Sequence, residues 1–517
     1  MSAIITDQLR ILNASNFVAA ATSSYNSYYT FVGLPNASDY QSDWNVNPPA
    51  PKDSFDQEND YWDTIVGLKK IKPEDVKQVI RKITWTSGTV YDMYRHDITR
   101  TNTSKPSNST NLYSANYYVM NKDYRVYICL YNGITPENPS GKPSIDEPTF
   151  VDLEPRAAGT SGDGYIWKYL YTINPSDIVK FDSVNFMPVP SDWYTNIQNT
   201  PIIDNAKYSG QIKIVTIKNR GVGLGTAGVT YTGVPISGDG SGGQATIVIN
   251  NDSKVQSITV TNGGSGYTYG TVDLIAGNVP TGTVTPTFDV IIPPKGGHGA
   301  NIYRELGAFN VLVFSRIEND IQNPDFITGN QVSRIGIVQN PQAYNSTNLL
   351  TSEKASNLYA IKFSQTNFDT TTFTSDSFIT QTVSTGVTAV GRVASYDQNT
   401  GVLKYWQDRT LVGFNSDGTQ NPSSSYGLKM VRFTNSVGVG GSTTIIGGSR
   451  NLNIDTTFSG ISTVINNNTY YLGQSFTNGL SNPEVQKYSG NIIYIDNRPS
   501  VLRSVNQKED IKVILQF

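Results

Sequence analysis

Cysteine is almost missing from this sequence: Cys129 stands alone among 517 residues. That excludes an intramolecular disulfide framework and any Cys-rich zinc site. The chain suits a reducing cytoplasm, or a particle assembled there. Histidine is nearly as scarce, His96 and His298 being the two present, so a His-rich metal centre lacks material. Charge is sparse too, at 16% of residues against ~25% in ordinary soluble domains. The 39 basic and 42 acidic residues give a net charge of −3, and no Lys/Arg run exceeds two residues. Phosphate-driven nucleic-acid binding needs a basic surplus that is not there. Long apolar runs are missing as well. Phe17-Val-Ala-Ala-Ala21 stops far short of the ~20 residues that span a bilayer. Membrane insertion is not expected. Met1-Ser-Ala-Ile-Ile-Thr-Asp7 lacks a basic segment and an apolar signal core, so secretion by the standard route is not expected either.

What is present is polar without being charged. Tyrosine reaches 31 residues, against 5 methionines. A tyrosine buries a large ring and keeps a polar tip, which suits strands and subunit interfaces. Gly (45) and Pro (25) supply turns, and with β-branched Thr, Val and Ile they describe many short strands. The expected class is mainly β, with a few helical excursions.

The helical excursions come first. Ile5, Leu9 and Leu12 share one helix face, and Phe55, Trp62 and Val66 repeat at helical spacing. Asp53 or Ser54 would cap the second helix and Gly67 would stop it. From about residue 89 the pattern is β. Tyr117–Met120 and Tyr124–Leu130 flank the turn Asn121-Lys-Asp123, a hairpin. Tyr165-Ile-Trp-Lys-Tyr-Leu-Tyr-Thr-Ile173 reads as a strand with Tyr165, Trp167, Tyr169 and Tyr171 on one face. Asn174-Pro175 then opens a short helix through Phe181.

Residues 208–296 change character, being Gly-rich and internally repeated. Ile217-Lys-Asn-Arg-Gly-Val-Gly223 matches Val260-Thr-Asn-Gly-Gly-Ser-Gly266 at an offset of 43, and Ile247-Val-Ile249 matches Val290-Ile-Ile292 at the same offset. Residues 212–250 and 255–292 are two copies of one β motif. The period falls in the ~40–45 range of propeller blades, but two copies cannot close a propeller. The domain map is thus 1–207 as the first part of a main body, 208–296 as an inserted two-repeat β domain joined through turn-rich flanks, and 297–517 completing the body. Val402–Trp406 pairs with Arg392–Tyr396 around Asn399-Thr-Gly401. Ile511, Val513, Leu515 and Phe517 alternate as a closing strand.

No chemical motif survives scrutiny. Gly238-Asp-Gly-Ser-Gly-Gly243 has the Gly-x-Gly-x-x-Gly spacing, but Gln244–Ile249 after it reads as strand, where a dinucleotide site needs a helix. His96 adjoins Asp97, yet neighbours on a strand face opposite ways and do not pair. Asp146, Glu147, Asp152 and Glu154 form an acidic stretch in which Pro148 and Pro155 mark a loop, the pattern of a solvated loop, though paired carboxylates could also serve glycoside hydrolysis. Cys129, within a strand, reads as an inert buried thiol. No catalytic residue, metal site or cofactor is expected. The candidate site is a subunit interface of Tyr165, Trp167, Tyr169, Tyr171, Tyr94 and Arg95, because tyrosine, tryptophan and arginine are the side chains enriched at such surfaces.

The ordered segments also carry a family resemblance. They are Met1–Phe17, Arg81-Lys-Ile-Thr-Trp85, Tyr91-Asp-Met-Tyr-Arg-His-Asp97, Tyr124–Cys129, Glu147-Pro-Thr-Phe150, Ser161–Ile173 and Gly490–Arg498. In these the chain resembles the gene-eight baseplate wedge subunit of T-even-like contractile-tailed bacteriophages, in the long form found in cyanophages. The likeness is dense over 1–200 and thinner over 300–517. Residues 208–296 have no counterpart in shorter members, and part of 380–450 looks like added length. The resemblance implies a β-sandwich core and a structural, non-enzymatic role as a homodimer that binds other wedge subunits, in a virion baseplate assembled in bacterial cytoplasm. The alternatives are a tail-associated glycan-binding adhesin or a glycoside hydrolase.

Overall fold

A computed structural model describes residues 6–206, 208–318, 326, 328–409 and 430–517. Residues 1–5, 207, 319–325, 327 and 410–429 lie outside the described residues. With them go Ile5 of the expected first helix face, the start of the opening resemblance segment and part of the added length in 380–450. The chain is mainly β, as expected. It divides into two compact units, each drawn from separate stretches. One holds 1–18, 77–312 and 514–517, and the other 19–76 and 313–513.

The second unit is organised by two antiparallel sheets. In the first, Tyr28–Gly33 is flanked by Ile65–Lys70 and Gln331–Gln339, with Lys354–Ser356 and Asn491–Leu502 outermost. Tyr29, Phe31, Trp62, Leu68 and Val338 form its core. The second sheet runs Phe378–Ser384, Val387–Asp397, Val402–Trp406, Tyr359–Lys362 and Leu480–Ser481, and includes the hairpin expected around Asn399-Thr-Gly401. The helix Phe55–Thr64 starts where foreseen, with the Ser54 hydroxyl accepting from Gln57 N. It stops two residues early. Thr64-Ile65-Val66 is a β-branched run whose stiff side chains favour extended backbone, so Val66 and Gly67 are strand residues, not helix and stop.

The helix Asp7–Thr22 also forms, but turned from its expected face. Leu9 and Leu12 are exposed, while Ile11, Ala14 and Ala21 are buried. Alanines permit close approach yet add little to a hydropathy pattern, so the more conspicuous leucines mislead.

In the first unit, Tyr118–Met120, Arg125–Asn132 and Tyr165–Thr172 form one antiparallel sheet. Asn121 turns its hairpin by accepting from Asp123 N and Arg125 N. Two register irregularities, at Val126/Tyr127 and Cys129/Tyr131, kink the central strand. The helix Pro175–Phe181 follows with Asn174 at its N-cap. The last strand, Lys508–Gln516, is present and enters this unit at Ile514, and Phe517 N bonds Phe309 O while its ring meets Phe17.

Residues 212–292, within this unit, form six strands. Ile214–Asn219 pairs with Thr287–Ile291. Val255–Ser265, Ser241–Ile249, Thr230–Gly238 and Gly270–Val272 make a four-stranded sheet in that order. Backbone bonds from Ile212 N to Gly263 O and from Val255 N to Arg220 O tie the two sets together. Gly238–Gly243 is the tip of a strand–strand hairpin, with a strand and not a helix after it.

Candidate functional site

The tyrosine-rich strand Tyr165–Thr172 is covered on both faces. Arg156 and Trp167 exchange backbone hydrogen bonds of 3.0 Å along its outer edge. Tyr165 and Trp167 are fully buried and stacked, with ring centroids 5.3 Å apart, and Tyr91 meets both edge-on. The Tyr165 hydroxyl donates to Lys142 O at 2.8 Å and accepts from Tyr91 N. Trp167 Nε1 lacks a hydrogen-bond partner. Tyr171 is buried against Trp193 and donates to Pro188 O. Tyr169 alone of the four is half-buried, its ring edge-on to Tyr127 and its hydroxyl 2.8 Å from Thr172 Oγ1.

Tyr94 is buried beside Tyr117 and 4.8 Å from the His298 ring. Arg95 is half-buried and bidentate on Asp97 at 2.9 and 2.7 Å, with Asp289 3.2 Å away. So Tyr165, Trp167, Tyr171 and Tyr94 are spent in the core of their own subunit. Among the six candidates, only Tyr169 and Arg95 retain a part-open side chain.

Three polar arrangements escaped the sequence reading. Lys168, between Trp167 and Tyr169, is buried with its ammonium on Leu153 O (2.6 Å) and Asn205 Oδ1 (2.8 Å), and burial pulls its pKa down to about 8. A lone lysine in an aromatic strand was the available signal. The buried Glu305 carboxylate takes His298 Nδ1 at 2.6 Å and Gly299 N at 2.7 Å. In the second unit, buried Arg392 bonds Asp408 at 3.0 Å and Asp39 at 2.7 Å. Its partners are far apart in sequence, so no local pattern could reveal them.

The other sequence candidates are accounted for by ordinary contacts. His96 Nδ1 accepts from Ile292 N, and burial lowers the ring's pKa, so it is a neutral acceptor. Asp97 is paired with Arg95, not with His96. The acidic stretch is dispersed: Asp146 accepts from Ser161, Glu147 from Lys122 N, Asp152 meets Arg156, and Glu154 holds Asn205 and Lys213. Burial raises the Cys129 thiol well above its ordinary pKa, which keeps it protonated. Among the described residues no group of three His, Cys, Asp or Glu is placed to hold a metal ion, and no helix is long and apolar enough to cross a membrane.

The conspicuous side chains of this mainly β chain go into packing and fixed ion pairs. Residues 3–146 match the family model described as Gp8 of bacteriophage T4. The chain is also 27% identical over 219 residues to the baseplate wedge protein gp8 of Enterobacteria phage T4. That alignment takes in 38% of this chain and 63% of the relative, so less than two thirds of the relative's length is spanned. The gene-eight resemblance is borne out over the matched residues.

Proposed function

We propose that this protein is a structural subunit of the baseplate wedge in a contractile phage tail, acting by assembly and not by catalysis. The observation that carries this is the Gp8 family match over residues 3–146, together with a relative named as a baseplate wedge protein. The dispersal of the acidic side chains into separate contacts favours the same reading over a glycoside hydrolase. The protein works as a homodimer that also binds other wedge subunits, and Tyr169 and Arg95 are its candidate contact residues. The segment 208–296 is an inserted β domain carried by the main body.

Antibodies against the chain, viewed on purified virions by electron microscopy, test the location. Label at the baseplate is expected. Label confined to tail fibres, or a virion without the protein, would overturn the proposal. Hydrolysis of peptidoglycan or capsular polysaccharide by the purified chain, abolished by one Asp or Glu substitution, would overturn the non-enzymatic role.

A further inference from the structure

The two repeats of residues 212–292 are woven through each other. Val215 pairs with Val290, and moving each by the 43-residue offset toward the other's repeat gives Ile258 and Ile247, which also pair. Ile217–Phe288 becomes Val260–Ala245, and Asn219–Thr287 becomes Asn262–Gln244, both observed. The bridge Val222–Val284 becomes Ser241–Ser265. The backbone bond Ile212 N to Gly263 O becomes Val255 N to Arg220 O, and both measure 2.9 Å. Every one of these contacts joins one repeat to the other.

The cores obey the same exchange. Ile212, Ile236 and Val290 lie in one cluster, and their equivalents Val255, Val279 and Ile247 lie in the other. Each cluster therefore draws on both repeats. The special backbone is duplicated too. Gly221 and Gly264 have φ of +71° and +59°, and each donates its amide N–H to the side-chain Oδ1 of the asparagine two residues before it, Asn219 or Asn262. An added Cβ would strike Val284 O at Gly221 and Ser241 O at Gly264, themselves an equivalent pair.

A residue i that meets j while the equivalent of j meets the equivalent of i is the rule of a two-fold, self-complementary interface. We propose that the insert is a homodimer internalised within one chain: each repeat presents an interface fitted to a second copy of that repeat, and the duplication satisfies it inside the subunit. A chain with one repeat would use this surface to bind another copy of itself. The natural chain, with two, has that surface already filled.

The test replaces Asn250–Ile292 by a flexible Gly/Ser linker, leaving one repeat in the whole chain, and adds Val222→Cys and Ser241→Cys. These two positions are not partners in the full chain but face each other between two one-repeat chains. The expected result is a disulfide-linked pair of one-repeat chains, twice the single-chain mass on a non-reducing gel, while the full-length chain with the same two substitutions stays uncrosslinked. A folded one-repeat chain without the intermolecular disulfide would overturn the proposal. If the one-repeat chain does not fold, two full-length variants decide: Val222→Cys/Val284→Cys and Ser241→Cys/Ser265→Cys. Closure of both within the chain at similar rates supports the two-fold; closure of one alone overturns it.

Discussion

At the scale of single residues, the aromatic strand serves stability before it serves recognition. Trp167 fills a fully enclosed site between Tyr165 and Tyr91. Trp167→Ala should cost about 3–5 kcal/mol, as large-to-small changes of buried tryptophan do, read as a lowered midpoint in denaturant. Tyr169→Ala should change that midpoint little. Lys168 gives a pH signature. Its pKa is lowered in the fold to about 8 from 10.5, so between these values the native state has lost a proton that the unfolded chain keeps. Stability therefore rises with pH over this window, and the penalty is complete below about pH 8. The interval is worth about 3 kcal/mol at ~1.36 kcal/mol per pH unit. Buried tyrosines such as Tyr171, whose pKa burial raises, oppose the rise above about pH 10, where unfolded tyrosines ionise. Lys168→Met should flatten the slope between pH 8 and 10 in denaturant titrations. An unchanged slope would assign it to another group.

At the scale of elements, the attachment of the repeat segment separates apolar from ionic contributions. Ile291 is buried in the main aromatic core and Ile214 packs against it. Nearby, Arg220 is bidentate on Glu137, and Lys213 reaches Glu154 at 3.1 Å. Glu137 and Glu154 are largely exposed, and such pairs contribute ~0–1 kcal/mol. Ile291→Ala should therefore cost about 2–5 kcal/mol and Lys213→Ala much less, and hydrogen exchange in Tyr165–Thr172 should quicken only in the first. The sequence already showed the hairpin at Asn121, the helix after Asn174 and the two β copies, because each is written in contiguous residues. It could not show that the copies exchange strands. Offset 43 is equally compatible with side-by-side modules, and only pairing register separates them. The strand face was half legible: its aromatic alternation was plain, but the ring that meets Trp167 edge-on comes from Tyr91, remote in sequence.

At the scale of the whole molecule, the chain passes between its two compact units after residues 18, 76, 312 and 513. Neither unit is a continuous stretch. The residues left open by folding then set what the subunit can bind. Four of six candidate interface side chains are consumed internally, which narrows the proposed self-association to the neighbourhood of Tyr169 and Arg95. Arg95 is committed to Asp97 and Asp289, so Tyr169 is the cleaner probe. Its ring is half-buried, and its hydroxyl lies 2.8 Å from Thr172 Oγ1. A two-fold dimer is the commonest closed assembly, and interface tyrosines near its centre carry a disproportionate share of binding. Sedimentation equilibrium should show a dimer at micromolar concentration. Tyr169→Arg should place a charge where a ring is to be desolvated, weakening association about tenfold or more while the thermal midpoint of the monomer holds. A chain that sediments only as a monomer would remove the dimer, and a variant that dimerises unchanged would move the interface away from this strand.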